Sequence, residues 1–246
     1  MNSILEQTEK LIAMYRRGEL GGEVLPEDSN PGFPKDSKES YLYFTLPMAL
    51  NYQRNSYALW ESALKTWQDE ETRFVFDPAA CLARSFEEVQ TALVKHKVAL
   101  QKQRQTEIWL TLCETFVRYF DGDIRVLFDS MDSDADRIRE FIQKTHKKEF
   151  PYLSGIKLCN YWMYVLYRFA GREYRDMKRL TVAADTHACK ASLRLELITE
   201  EEYHSSKVRE IVAERWMELL EPTQYRSIDL NDPLWFWSRN DFPEIR

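Results

Sequence analysis

The sequence predicts an all-α fold, and three observations lead there. Apolar residues recur at helical spacing over most of the 246 residues, with almost no strand-type alternation. Four of only seven glycines, Gly18, Gly21, Gly22 and Gly32, sit with Pro26, Pro31 and Pro34 in residues 18–34, leaving few breakers elsewhere. A composition that is 44% hydrophobic and 13% aromatic buries a sizeable core, as one large helical domain or two lobes.

In chain order, residues 1–40 are expected to form an N-terminal helix and a Gly/Pro-rich linker, and residues 41–246 a helical domain. Residues 41–67 read as one long helical pattern entered at Pro47, with Met48, Leu50, Tyr57, Leu59, Trp60, Ala63 and Leu64 as its apolar stripe. Within it stands the polar block Asn51-Tyr52-Gln53-Arg54-Asn55. On a helix, Asn51 and Asn55 share a face, as do Gln53 and Arg54 with Tyr57. Asn51, Gln53 and Arg54 are therefore candidates for a pocket wall that reads a base or a phosphate, with plain solvent exposure the alternative.

Phe86, Val89 and Leu93 mark a further amphipathic helix; Ile108, Leu112, Phe116, Val117 and Phe120 mark the next, stopped at Asp121-Gly122. Residues 133–144 begin with Ser-x-x-Asp, a variant of the capping box, and carry Ile138, Phe141 and Ile142 on one face. A turn at Pro151, Ser154 and Gly155 then opens an apolar helix that ends at Gly171, a natural residue just past a helix terminus. Asp185 stands at the N-cap position of residues 186–197, where Ala188, Ala191, Leu193, Leu195 and Leu197 lie beside Lys190, Arg194 and Glu196. An anion there faces unpaired backbone N–H groups and the positive end of the helix dipole. A bare helix cap accounts for the same residue. Near the C-terminus Trp235, Phe236, Trp237 and Phe242 either dock a tail on the core or offer Trp235 as a stacking surface for a base.

The formal charge of −6, from 34 basic and 40 acidic residues, argues against a protein coated in nucleic acid. Its distribution is uneven: residues 137–194 hold 13 Lys or Arg against 5 Asp or Glu, and the rest of the chain holds 21 against 35. Arg137, Arg139, Lys144, Lys147 and Lys148 precede the turn, while Arg168, Arg172, Arg175, Lys178 and Arg179 follow its helix. Solvated helix faces are the plain alternative. No uninterrupted apolar run reaches membrane-spanning length, and the N-terminus lacks a basic region followed by an apolar core, so a cytoplasmic or nuclear protein is expected.

Leu153-Ser154-Gly155-Ile156-Lys157-Leu158-Cys159, followed by Ala184-Asp185-Thr186-His187-Ala188, resembles the helix-hairpin-helix DNA glycosylase superfamily. Its hairpin pattern L-x-G-x-G-x-K/T-x-A precedes V-D-T/V-H-V at the start of another helix. The likeness covers about sixty residues; the remainder is compatible in being helical. The second hairpin glycine is missing, because Ile156-Lys157 stands where the family usually has Val-Gly-x-Lys. The 28 residues from Lys157 to Asp185 exceed the usual interval, with residues 172–179 reading as an insertion. The archaeal-type 8-oxoguanine glycosylase branch tolerates both departures, and the chain is most similar to that branch.

The resemblance implies two helical lobes with a cleft between them, and an N-glycosylase that excises a damaged or modified base, possessing AP lyase activity if a lysine is the nucleophile. Asp185 would stabilise the oxocarbenium-like sugar, and Lys157 would attack C1′ to form a Schiff base; a phosphate-binding surface lysine is the alternative for Lys157. DNA would be gripped through residues 137–179, with Ser154, Gly155, Lys147, Lys148, Arg172, Arg175 and Lys178 on the backbone, and Asn51, Gln53, Arg54 and Trp235 around the base. The expected protein is a monomer with no cofactor, metal or membrane. Cys81, Cys113, Cys159 and Cys189 are too far apart for a zinc knuckle or for the iron–sulfur loop some members of the superfamily carry, and His96, His146, His187 and His204 show no ligand spacing.

Two other functions stay open on these residues. An N-glycosidase of a modified nucleoside or nucleotide, of the queuosine-salvage kind whose helical fold resembles these glycosylases, shares the Asp185 chemistry without duplex binding. The pI of about 5.4 favours it and the basic segment opposes it. The other is a nucleic-acid-binding module without chemistry.

Overall fold

The computed structural model of the chain describes residues 2–21 and 24–246, and among them every regular element is helical and no strand occurs. The chain divides into two compact units, Leu25–Arg175 and a discontinuous one that joins Met1–Val24 to Asp176–Arg246. The first division falls inside the expected linker rather than at residue 40. Among the described residues no helix is long and apolar enough to cross a membrane.

After α1 (Asn2–Arg16), the Leu25–Arg175 unit holds α2 (Lys38–Thr45), α3 (Ser56–Gln68), α4 (Pro78–Leu82), α5 (Phe86–Lys95) and α6 (Lys102–Phe120). It continues through α7 (Arg125–Ser130), α8 (Ala135–Glu140) and α9 (Ile156–Val165). Its core is aromatic: Tyr43 lies against Trp60 at 5.8 Å and Phe76 at 5.4 Å, and Phe128 against Trp162 at 5.6 Å. Two of the buried indoles keep a hydrogen bond, Trp109 Nε1 donating to Val75 O at 2.8 Å and Trp162 Nε1 to Thr45 Oγ1 at 2.9 Å, whereas Trp60 Nε1 has none. Helix starts follow their caps. Asn55, Asp77 and Ser85 each accept from a first-turn amide, Ser85 in a reciprocal pair with Glu88. α6 stops where expected, at left-handed Asp121 (φ 51°) and Gly122 (φ 72°).

Two sequence expectations are corrected. Residues 41–67 do not form one helix: α2 ends at Thr45, Pro47–Leu50 is a 3₁₀ turn, and residues 51–55 are a loop. Pro47 cannot donate to the preceding turn, Gln53 takes a left-handed conformation (φ 48°), and Asn55 restarts the helix by capping α3. Asn51 and Asn55 therefore share no helical face. The helix expected from Ser133 is capped instead by Asp134, whose Oδ1 accepts from the Asp136 and Arg137 amides, while Ser133 is left-handed (φ 51°).

α9 passes into a π-helical turn, Leu166–Ala170, and ends at Gly171 in the left-handed region (φ 80°). That reversal turns Arg172 inward. Its guanidinium lies over the rings of Tyr41 and Phe128 at 5.1 and 5.3 Å. It also donates to Tyr41 Oη at 2.6 Å, Asp129 Oδ1 at 2.8 Å and Ser133 Oγ at 3.1 Å. Burial pushes the Tyr41 phenol up to about 12, with Arg172 pulling the other way.

The discontinuous unit contains α1, α10 (Thr186–Arg194), α11 (Glu200–Tyr203), α12 (Val208–Leu220) and α13 (Asn231–Arg239). α10 packs against α12 and α13, and α1 packs on α13, where Tyr15 Oη donates to Asp232 Oδ2 at 2.9 Å. The aromatic tail is thus part of the core of this unit, with Phe236 and Trp237 buried.

Replacing Arg172 with Met keeps the volume but leaves Tyr41 and Asp129 without their donor. It is expected to lower the free energy of unfolding by about 2 kcal/mol in urea titrations. A loss below about 0.5 kcal/mol would mean that the inward guanidinium does not hold this unit together.

Candidate active site

Leu180 to Ala184, which lead into Asp185 and α10, are buried and irregular, closed by a tight turn in which Asp185 N donates to Ala183 O at 2.6 Å, and no strand pairs with them. A buried amide without an acceptor is costly, so side chains take the place of a sheet. Ser227 Oγ accepts from Val182 N at 3.0 Å and Asn231 Oδ1 from Ala183 N at 2.7 Å, while Asn231 Nδ2 donates to Ile228 O at 2.9 Å. The run delivers half-buried Asp185 to the start of α10, where its Oδ1 accepts from Ala188 N at 2.8 Å. Asp185 is the N-cap that its sequence position predicts. Among the described residues its Oδ2 makes no hydrogen bond or ion pair.

α10 is held on two sides. Ser192 Oγ accepts from Trp216 Nε1 of α12 at 2.8 Å, and His187 Nδ1 meets Ser238 Oγ of α13 at 3.1 Å. Trp235 sets its edge against His187 at 5.8 Å, under the Arg239 guanidinium at 4.7 Å. Trp235 therefore docks on α10, two residues from the candidate carboxylate, and only its remaining half-exposed surface is available for stacking.

In the Leu25–Arg175 unit the turn before α9 is closed by Ser154 N to Phe150 O at 2.9 Å and Gly155 N to Tyr152 O at 3.0 Å. Its left-handed residue is Tyr152 (φ 62°), whereas Gly155 is the N-cap with φ −69°. A Cβ on Gly155 would stand 3.2 Å from Tyr152 O, a tight contact that favours glycine there. Ile156 is the first residue of α9. Lys157 lies in the first turn of α9, half-buried and without an ion pair among the described residues. Burial pushes the nearby Cys159 thiol up to about 12, which removes it as a competing nucleophile.

The remaining candidates are mostly engaged elsewhere. Asn51 Oδ1 accepts from Ser56 Oγ at 2.8 Å, and Gln53 is exposed. Arg54, its guanidinium held below the ordinary value by burial, clamps Val98 O at 2.6 Å and Lys97 O at 3.1 Å. Arg172 is interior. Arg175 pairs with Asp134 at 2.8 Å, and Lys178 Nζ donates to the Glu221 and Thr223 carbonyls at 3.0 Å each. Asp129, Asp132 and Asp136 likewise take Arg172, Arg137 and Arg139. Four arginines of the basic segment, Arg137, Arg139, Arg172 and Arg175, are therefore paired with the aspartates just before it. Lys147 and Lys148 remain exposed and without ion pairs among the described residues.

Among the described residues no group of three or more His, Cys, Asp or Glu is placed to hold a metal. No protein-family model and no curated protein matches the chain. Ser227 and Asn231 were not legible as site-supporting residues, since they act over more than forty positions of chain. Asn160 had a visible signal, an amide within an apolar helix.

The cap has a measurable share of stability. Asp185→Ala is expected to lose about 1 kcal/mol by thermal or chemical denaturation, and Asp185→Asn only a few tenths, because Asn caps as well as Asp. Equal losses in the two variants would contradict the capping geometry.

Proposed function

We propose that the chain is a DNA N-glycosylase in which Asp185 stabilises the sugar as the base departs. The observation that carries this reading is the division of labour in the Asp185 carboxylate, with Oδ1 holding the helix and Oδ2 left over for chemistry. As the C1′–N bond breaks, its electron pair leaves with the base and positive charge builds on the sugar. A fixed carboxylate on a braced helix lowers the energy of that state without reorganising. Lys157 attacks C1′ as a neutral amine, loses a proton, and opens the sugar to a Schiff base from which β-elimination cuts the strand. The base must first leave the duplex, which is cheapest at a damaged or mismatched pair.

Asp185→Asn keeps the cap and removes the charge. Single-turnover release of free base from lesion-bearing duplexes is expected to fall by about 100-fold or more, with duplex affinity retained. Release at the wild-type rate in the folded variant would take Asp185 out of the chemistry.

The engagement of Arg172, Arg175 and Lys178 favours a second reading, an N-glycosidase of a modified nucleoside or nucleotide, which needs no broad basic surface. DNA binding centred on the unpaired Lys147 and Lys148 predicts that replacing both with Ala reduces the slope of log K against log salt by about 2. An unchanged slope together with hydrolysis of a free modified nucleoside would favour the second reading.

A further inference from the structure

α9 reads Ile-Lys-Leu-Cys-Asn-Tyr-Trp-Met-Tyr-Val, an apolar and aromatic helix interrupted by Lys157 and Asn160. Asn160 is 5% exposed, and its Oδ1 has no hydrogen-bond partner. A buried amide oxygen with no protein partner destabilises a fold, and Asn is a poor helix former, so helix propensity does not account for this residue. Its position on the helix supplies a reason. Residues three apart stand on one helix face with Cβ atoms about 5–6 Å apart. Helical side chains also lean toward the N-terminus, which carries the Asn160 amide toward Lys157.

We propose that Asn160 is a specificity-determining residue that reads the extruded base, its Oδ1 accepting an N–H from the base edge while Lys157 stands at the sugar. The inference rests on the N-glycosylase reading and adds to it the kind of base accepted, one that presents an N–H donor to this acceptor. An acceptor left unpaired in the empty protein and paired only by the correct base rejects bases lacking the donor more strongly than an apolar wall does. A buried water at the same oxygen is the competing explanation.

The experiment uses the full chain and two variants, Asn160→Leu and Asn160→Ala. Single-turnover release is measured on duplexes carrying 8-oxoguanine, hypoxanthine or uracil. Affinity is measured for the same duplex with a tetrahydrofuran abasic site, which has no base to read. Release of the preferred base is expected to fall about 100-fold in both variants while abasic-duplex affinity stays within about twofold, and Asn160→Leu should melt no lower than wild type. Release within about twofold of wild type overturns the proposal, as does a parallel fall in release and abasic affinity, which marks a structural role. A wild-type protein that releases none of the three bases removes the N-glycosylase reading and the role of Asn160 with it. Wild-type release that the variants preserve removes only Asn160.

Discussion

Everything at the candidate carboxylate depends on how the buried irregular run before α10 satisfies its backbone. Inside a helical protein such a segment has no ladder to join, and each unmet amide costs about 1–3 kcal/mol. Ser227 and Asn231 supply the missing acceptors, and Asn231 is itself fixed by the Ile228 carbonyl. The run is thereby locked in register, so Asp185 enters α10 with one defined backbone geometry (φ −84°, ψ −174°). Trp216 and Ser238 then brace the helix from its neighbours. A carboxylate held this way cannot swing to follow a migrating charge, which is the property electrostatic preorganisation requires.

A second constraint is electrostatic and works in the opposite sense, by using charge up. The aspartates at 129, 132, 134 and 136 face arginines from 137 to 175. The exposed pairs add little stability, about 0–1 kcal/mol each, but they remove cations from any phosphate-binding surface. Among the described residues Lys147, Lys148 and Lys157, around the turn before α9, make no ion pair, nor do Lys190 and Arg194 on α10.

Local signals were legible where the chain itself carries the physics. The Asp185 cap, the Gly171 stop and the Asp121-Gly122 stop follow from side-chain acceptors and left-handed backbone, and each stands where its residue types place it. Periodicity failed across residues 41–67, because an apolar stripe continues through Pro47 although the backbone cannot, and Asn55 is equally good as a helix surface or a helix start. The charge count misled for a different reason. Its window opened at residue 137, one position after the aspartates that pair with four of its arginines. Tertiary partners such as Ser227 and Asn231 leave no local pattern at all. Trp235 was readable as either anchor or stacking face, and it packs against His187 of α10 and Phe236.

We propose cleavage at C1′ of a nucleotide with Lys157 as the nucleophile. Borohydride reduction during reaction with an 8-oxoguanine duplex, followed by peptide mapping of the adduct, addresses it most directly. The account predicts free base in solution and a reduced sugar adduct on the peptide containing Lys157, absent in Lys157→Gln. An adduct on another lysine, or no adduct alongside no released base, would contradict it.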